Sequence, residues 1–196
     1  VSLLSRYMSN PGQAHWTFAK DILKYLKGTM TKGLLFEKND DLEAFCDADY
    51  AGDLDNRRST TGYIIKLAGA SVSWMSRIQP TVALSTTEAE YMAAAEVCKE
   101  VIWYRKLLKE LEMEQGSECI TVNCDSQSCI KLIKNPVFYK RSKHIDVRYH
   151  FVREKVLEGC LRFVYCNTKN MIADALTKAV PFPKQGTCAI GMGLVD

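Results

Sequence analysis

A chain of 196 residues is long enough for one sizeable α/β domain with an accessory segment, and too short for a second full domain of ordinary size. With 47% hydrophobic and 25% charged residues, 5 prolines and 11 glycines, the composition excludes a disordered or low-complexity protein. The net charge of +3 is too mild to argue for a nucleic-acid partner by itself, so that argument rests on where the charges sit.

Taken in chain order, the pattern predicts a helix that starts after Asn10-Pro11-Gly12, runs through Trp16, Ala19, Ile22, Leu23, Tyr25 and Leu26, and stops at Gly28. A short strand from Gly33 to Glu37 follows, and the polar cluster Lys38-Asn39-Asp40-Asp41 marks a boundary. Three strands are then expected, Glu43 to Tyr50, Gly62 to Leu67 and Ser71 to Met75, the last two joined by Ala68-Gly69-Ala70 as a hairpin. The longest element is a helix from Ser85 to about Glu114, with Gly116 just past its end. Beyond it the pattern gives a buried strand from Cys119 to Cys124, helices over Ser126–Ile133 and His144–Leu157, a strand from Leu161 to Cys166 and a helix from Asn170 to Lys178. The sum is an α/β fold with a five-stranded mixed sheet, three antiparallel strands then two parallel, flanked by helices. Residues 41–180 form the main domain, 1–40 an attached helix and strand, and 181–196 a tail without a readable pattern. Trp74 and Trp103 lie in apolar surroundings and are assigned to packing.

Eight cysteines include no CxxC pair, and three histidines are available to complete a metal site, so no zinc is expected. Several cysteines sit in apolar runs such as Ala44-Phe45-Cys46, which reads as reduced thiols acting as small core residues. No run approaches the roughly 20 apolar residues of a membrane helix, and the start lacks a signal-peptide pattern; a soluble chain without membrane association is expected. The chain begins at Val1, which reads as a fragment of a longer polypeptide or a processed product.

Four carboxylates stand where a metal site could use them: Asp47 within a strand, Glu90 early in the long helix, Asp125 where a strand turns into a helix, and Asp174 in the last helix. Asp47 and Asp125 lie in apolar surroundings near the middle of the sheet, where an unpaired charge is costly and something must neutralise it. Hydrolysis of a phosphodiester by two hard cations about 3.5–4 Å apart needs such a cluster of carboxylate oxygens from separate elements. Singly, each has a plainer reading: Asp125 as a helix cap, Asp174 as a charge favouring a helix dipole, Asp47 as the partner of an arginine. In Ser85-Thr86-Thr87-Glu88-Ala89-Glu90, Ser85 with Glu88 is a capping box, which occupies Glu88 and frees Glu90. Glu90 also shares a face with Ala93, Ala94 and Val97, which points it toward the sheet.

Seven blocks stand in order along the chain: Phe45-Cys46-Asp47-Ala48-Asp49-Tyr50-Ala51-Gly52-Asp53, Arg58-Ser59-Thr60-Thr61-Gly62-Tyr63, Ser73-Trp74, Ala83-Leu84-Ser85-Thr86-Thr87-Glu88-Ala89-Glu90-Tyr91, Cys124-Asp125-Ser126-Gln127-Ser128, Lys143-His144-Ile145-Asp146-Val147-Arg148-Tyr149-His150 and Ala173-Asp174-Ala175-Leu176-Thr177-Lys178. Together they resemble the signature of copia-type RNase H domains. The opening Ser5-Arg6-Tyr7-Met8, Asn10-Pro11-Gly12, His15-Trp16 and Leu23-Lys24-Tyr25-Leu26-Lys27-Gly28-Thr29 resembles the segment that joins reverse transcriptase to RNase H in the same polyproteins. The resemblance implies an RNase H-like fold, two Mg²⁺ ions that Mn²⁺ can replace, and the family's Asp-Glu-Asp-Asp set on Asp47, Glu90, Asp125 and Asp174. Asp47 and Asp125 would then bridge the ions, Glu90 complete one ion's shell and Asp174 hold the other. It further implies an RNA/DNA hybrid as substrate, the reverse transcriptase of the same polyprotein as partner, and a place in the cytoplasm or in virus-like particles.

One departure stands out. Many cellular relatives carry a histidine in the loop before the last aspartate, whereas Asn167-Thr168-Lys169-Asn170 has none. His144 at a helix start is either a replacement or a local packing residue, and His150 beside Phe151 and Val152 reads as structural.

Two stretches suit phosphate contacts. Arg57 and Arg58 with Ser59, Thr60 and Thr61 combine guanidinium and hydroxyl donors, in a loop that reads equally as a solvated turn. Lys140, Arg141, Lys143, His144 and Arg148, interleaved with Phe138, Tyr139 and Tyr149, are the densest basic and aromatic stretch. Two other functions remain open: an inactive hybrid-binding module from a decayed element, and a DNA-directed nuclease or integrase.

Overall fold

The computed structural model describes residues 1–38, 41–113, 119–135 and 143–196, and over 143–149 the backbone alone. Its first elements are α1 (Ser2–Ser5), α2 (Gln13–Gly28), β1 (Gly33–Leu34), β2 (Leu42–Asp49), β3 (Thr60–Leu67), β4 (Ala70–Ile78) and α3 (Thr86–Glu110). They are followed by β5 (Ile120–Cys124), α4 (Gln127–Lys134), α5 (Lys143–Leu157), β6 (Leu161–Tyr165), α6 (Asp174–Thr177), α7 (Phe182–Gly191) and β7 (Leu194–Val195).

The main sheet runs β4-β3-β2-β5-β6. β2, β3 and β4 pair antiparallel, while β5 and β6 join parallel to β2, the mixed sheet the pattern predicts. Successive residues of a strand face opposite ways, and each face here has its own core. Ala44, Cys46, Tyr63 and Ile65 pack with α3, whose buried residues include Ala89, Ala93, Ala94, Val97 and Val101. Small side chains on both sides let this long helix lie close to the sheet. Ile64 on the other face packs with Met171, Ile172 and Ala173, joined by Phe45, Leu176 and Met192.

Several boundaries differ from the pattern. α3 ends at Glu110, followed by Leu111 as C-cap and by Glu112 in a left-handed conformation (φ 56°). Glu114 and the expected stop at Gly116 lie outside the described residues, as do Asn39 and Asp40 of the boundary cluster. The helix read from Asn170 to Lys178 is instead a 3₁₀ turn at Thr168–Asn170, a buried Met171-Ile172-Ala173 and the four-residue α6. Apolar side chains at three consecutive positions cannot all reach the sheet from one helical face, so burying them interrupts the helix. The segment 181–196, without a readable pattern in sequence, is structured. It forms α7 and β7; β7 pairs antiparallel with β1, and the Ser71 N–H and hydroxyl both donate to Met192 O, at 3.0 and 2.9 Å.

Trp74 and Trp103 are 62% and 53% exposed, contrary to the packing role read from their surroundings. Among the described residues β4 is an edge strand, with a strand of the main sheet on one side only. On α3 the buried stripe passes through Val97, Val101 and Leu108, and Trp103 points away from it, edge-on to Tyr104 at 4.9 Å. α2 has no buried residue at all. No helix among the described residues is long and apolar enough to cross a membrane.

Candidate metal centre

The parallel register of β2 and β5 sets Cys46 beside Cys124, so the residues that follow on the two strands, Asp47 and Asp125, are neighbours. Glu90 enters from the second turn of α3. Oxygens of Asp47, Glu90 and Asp125 all lie within 4.8 Å of one another. Asp47 is 1% exposed and Glu90 8%.

Local capping leaves these carboxylates free. Ser126, not Asp125, caps α4, its hydroxyl accepting from Cys129 N–H at 3.2 Å. Ser85 caps α3 by accepting from Glu88 N–H at 3.2 Å. Glu88 in turn accepts from the N–H of Leu84 at 2.8 Å, one residue upstream of the partner that a strict capping box would use. Hydroxyls hold the aspartates in place: Thr177 donates to Asp47 Oδ2, and Thr168 donates to Asp125 Oδ2 at 2.9 Å.

The cluster is electrostatically expensive. Burial, then the neighbouring Cys124, Asp47 and Asp125, push the Glu90 carboxyl from 4.5 up to about 10. Burial also raises Asp125, against the Thr168 hydrogen bond that favours its charged form, and Asp47 adds to the rise. Under the carboxylates lies a group of thiols. The hydrogen bond each shares with Cys124, followed by burial, pushes Cys46 and Cys129 up and keeps them protonated. All eight cysteines are free.

Glu90 Oε2 is buried with no hydrogen-bond partner. A buried carboxylate oxygen without a donor, set among two further carboxylates, is what a hard cation with oxygen ligands would satisfy, and the donor set fits Mg²⁺ or Mn²⁺ better than a thiophilic metal.

Asp174, the fourth candidate, stands outside this trio. Fully buried at the start of α6, it is held by two lysines: Lys178 Nζ lies 2.9 Å from Oδ1, and Lys184 Nζ contacts Oδ2. Oδ1 receives no directional hydrogen bond, so its contact with Lys178 is an ion pair alone. Lys178 also lies 3.5 Å from Asp47 Oδ2, bridging the two aspartates. Thr168, Thr177, Lys178 and Lys184 were not singled out by sequence. Lys178 is four residues from Asp174, a helical spacing that signals the pair; Lys184 comes from a separate helix and has no such signal.

In the loop before β3, Arg57 is exposed and Arg58 half-buried. Arg57 takes a left-handed conformation (φ 55°), and its N–H donates to Asp53 O at 2.7 Å, as a tight turn requires. Ser59 is fully buried, with its hydroxyl accepting from Ala51 N–H at 3.1 Å, and Thr60 is half-buried as the first residue of β3. Lys140 and Arg141, with Phe138 and Tyr139, lie outside the described residues, and the side chains of Lys143, His144, Arg148 and Tyr149 do too. His150 is exposed, whereas Val152 two residues on is fully buried.

No protein-family profile matches the chain. Over 195 residues, 99% of its length, it is 47% identical to the retrovirus-related Pol polyprotein from transposon TNT 1-94 of Nicotiana tabacum, and it spans 14% of that polyprotein. Over 180 residues, 91% of its length, it is 43% identical to the corresponding polyprotein from transposon RE2 of Arabidopsis thaliana, spanning 12% of it. Among solved structures, an RNase H1 isolated from compost by a metagenomic approach superposes with a TM-score of 0.52 at 18% identity, over 70% of this chain and 93% of that one. At that identity the likeness shows the fold alone. Relatives and fold agree: the chain belongs to the copia-type retrotransposon Pol polyproteins, as a segment with the RNase H fold.

Proposed function

We propose that the chain is the ribonuclease H of a retrotransposon, hydrolysing the RNA strand of RNA/DNA hybrids during reverse transcription. The observation that carries this reading is the convergence of Asp47, Glu90 and Asp125 within 4.8 Å at the junction of β2, β5 and α3. The Pol polyprotein relatives and the RNase H fold support it.

Asp47, Glu90 and Asp125 would hold one Mg²⁺ or Mn²⁺, and Asp47, Asp125 and Asp174 a second. When bound, such ions supply a water of lowered pKa and charge stabilisation at the scissile phosphate. The chain's own groups do the rest. Thr177 and Thr168 fix the carboxylates of Asp47 and Asp125 through their hydroxyls. The exposed Arg57 and half-buried Arg58 lie in the loop that leads into β3, the strand paired with that of Asp47, and suit contacts to the backbone phosphates of a hybrid. Lys140, Arg141, Lys143, His144 and Arg148 would extend that surface. Recognition through phosphates and 2′-hydroxyls predicts little base specificity. Within a polyprotein the chain would work beside the reverse transcriptase, with residues 1–40 as the end of the connection between them, in the cytoplasm or in virus-like particles.

The test is cleavage of an end-labelled RNA/DNA hybrid in Mg²⁺ and in Mn²⁺. Asp47→Asn is expected to lower the rate by about a hundredfold or more while hybrid binding persists. Unchanged cleavage by this variant refutes the assignment. Binding without cleavage by the wild-type chain in both metals points to an inactive hybrid-binding module, and cleavage of duplex DNA over hybrid points to a DNA-directed nuclease.

A further inference from the structure

The two cation positions of the proposed site are not alike. Three carboxylates meet at the first, and the ammonium that reaches them among the described residues is Lys178, 3.5 Å from Asp47. At the second, both oxygens of Asp174 already face an ammonium group, Lys178 on Oδ1 and Lys184 on Oδ2. Lys184 is anchored on its other side by donating to Thr168 O at 2.6 Å, in the loop whose threonine hydroxyl holds Asp125. The loop that lacks a histidine in sequence therefore receives a cation from α7, the helix that follows α6.

A divalent ion brought to Asp174 meets two positive charges at contact range, in partly buried surroundings where repulsion is weakly screened. Lys184 has room to leave. Its side chain is 22% exposed, its long stem can swing outward, and it can keep the Thr168 carbonyl as an acceptor while giving up the carboxylate.

We propose that Lys184 competes with the second cation for Asp174, so that α7 sets the affinity of that position and the two ions bind in order: first at Asp47, Glu90 and Asp125, then at Asp174 as Lys184 withdraws. This rests on the metal-centre reading above. Lys184 acts here through Asp174 and not on the substrate.

The test is Mn²⁺ binding to the 196-residue chain, followed by electron paramagnetic resonance of the free ion, for wild type, Lys184→Gln, Lys184→Arg and Asp47→Asn. Lys184→Gln is expected to tighten the second ion by about tenfold and leave the first within about twofold. Lys184→Arg should behave as wild type. An unchanged second affinity in Lys184→Gln overturns the competition while leaving the metal centre intact. Absence of any Mn²⁺ binding by wild type removes the metal centre itself, and the competition with it. A second measurement does not depend on how the variants fold: in wild type carrying ¹⁵N-lysine, Mg²⁺ titration should shift the Lys184 ammonium resonance at the second equivalent. No shift there, or a shift completed with the first, also overturns the proposal.

Discussion

Glu90 is the residue whose environment most changes its chemistry. Its carboxyl is raised to about 10 by burial, then by Cys124, Asp47 and Asp125, so in the metal-free chain at neutral pH it carries its proton. A carboxyl raised on folding stabilises the native state fully below its unfolded value of 4.5, and that contribution is lost as pH rises toward about 10. The metal-free chain is therefore expected to lose melting temperature between pH 5 and pH 9. Glu90→Gln should flatten that profile and raise the melting temperature at pH 8, by roughly 2–4 °C for each kcal/mol of charging cost removed. A metal-free wild-type profile that does not fall over this range would contradict the burial of the group. The choice of Glu90 over Glu88 was legible in sequence because a capping serine three residues upstream occupies one glutamate and not the other. Lys184 was not legible: a solvated lysine and one folded back onto a buried aspartate look identical until the two helices that carry them are placed against each other.

Strands and helices were legible where one period persisted. The alternation through β2 and β3 and the small-residue face of α3 gave the sheet and its longest helix, because those elements bury one face along their whole length. Short elements escaped. β1 and β7 have two residues each and exist through pairing with each other across more than the whole main sheet's sequence. α6 is set by what it packs on, and there Gly62 matters. A Cβ at Gly62 would stand 2.6 Å from Thr177 Cγ2, 3.1 Å from Leu176 Cβ and 3.2 Å from Ala173 O. The backbone of β3 can thus approach the short helix that carries Asp174 and Thr177. Gly62→Ala is expected to cost about 1–3 kcal/mol by pushing α6 away. Denaturant unfolding reads this, and cleavage should fall with it as the Thr177–Asp47 contact opens; full stability and full activity together would show that α6 has slack.

For the molecule as a whole, the asymmetry lies in α2. Trp16, Leu23 and Leu26 share a stripe with Ala19, yet all three are more than half exposed, and no residue of the helix is buried. A helix with an unburied apolar stripe contributes little to the stability of the chain that carries it. Replacing Trp16, Leu23 and Leu26 together by glutamine should shift the stability of this chain by less than about 0.5 kcal/mol per site; thermal melting that drops by ten degrees would mean that α2 packs on this chain after all.

The β1–β7 ribbon has a mechanical consequence. Gly33 pairs with Val195 and Leu34 with Leu194, so the chain enters and leaves at the same end of a two-rung antiparallel ladder. Tension applied across the two ends loads one rung at a time and peels the ladder open like a zipper, unlike a parallel ladder loaded in shear. β7 follows α7 after Met192 and Gly193, and Met192 O is held by Ser71 of β4, so once the ladder opens the pull passes both to the edge of the five-stranded sheet and to the helix that carries Lys184.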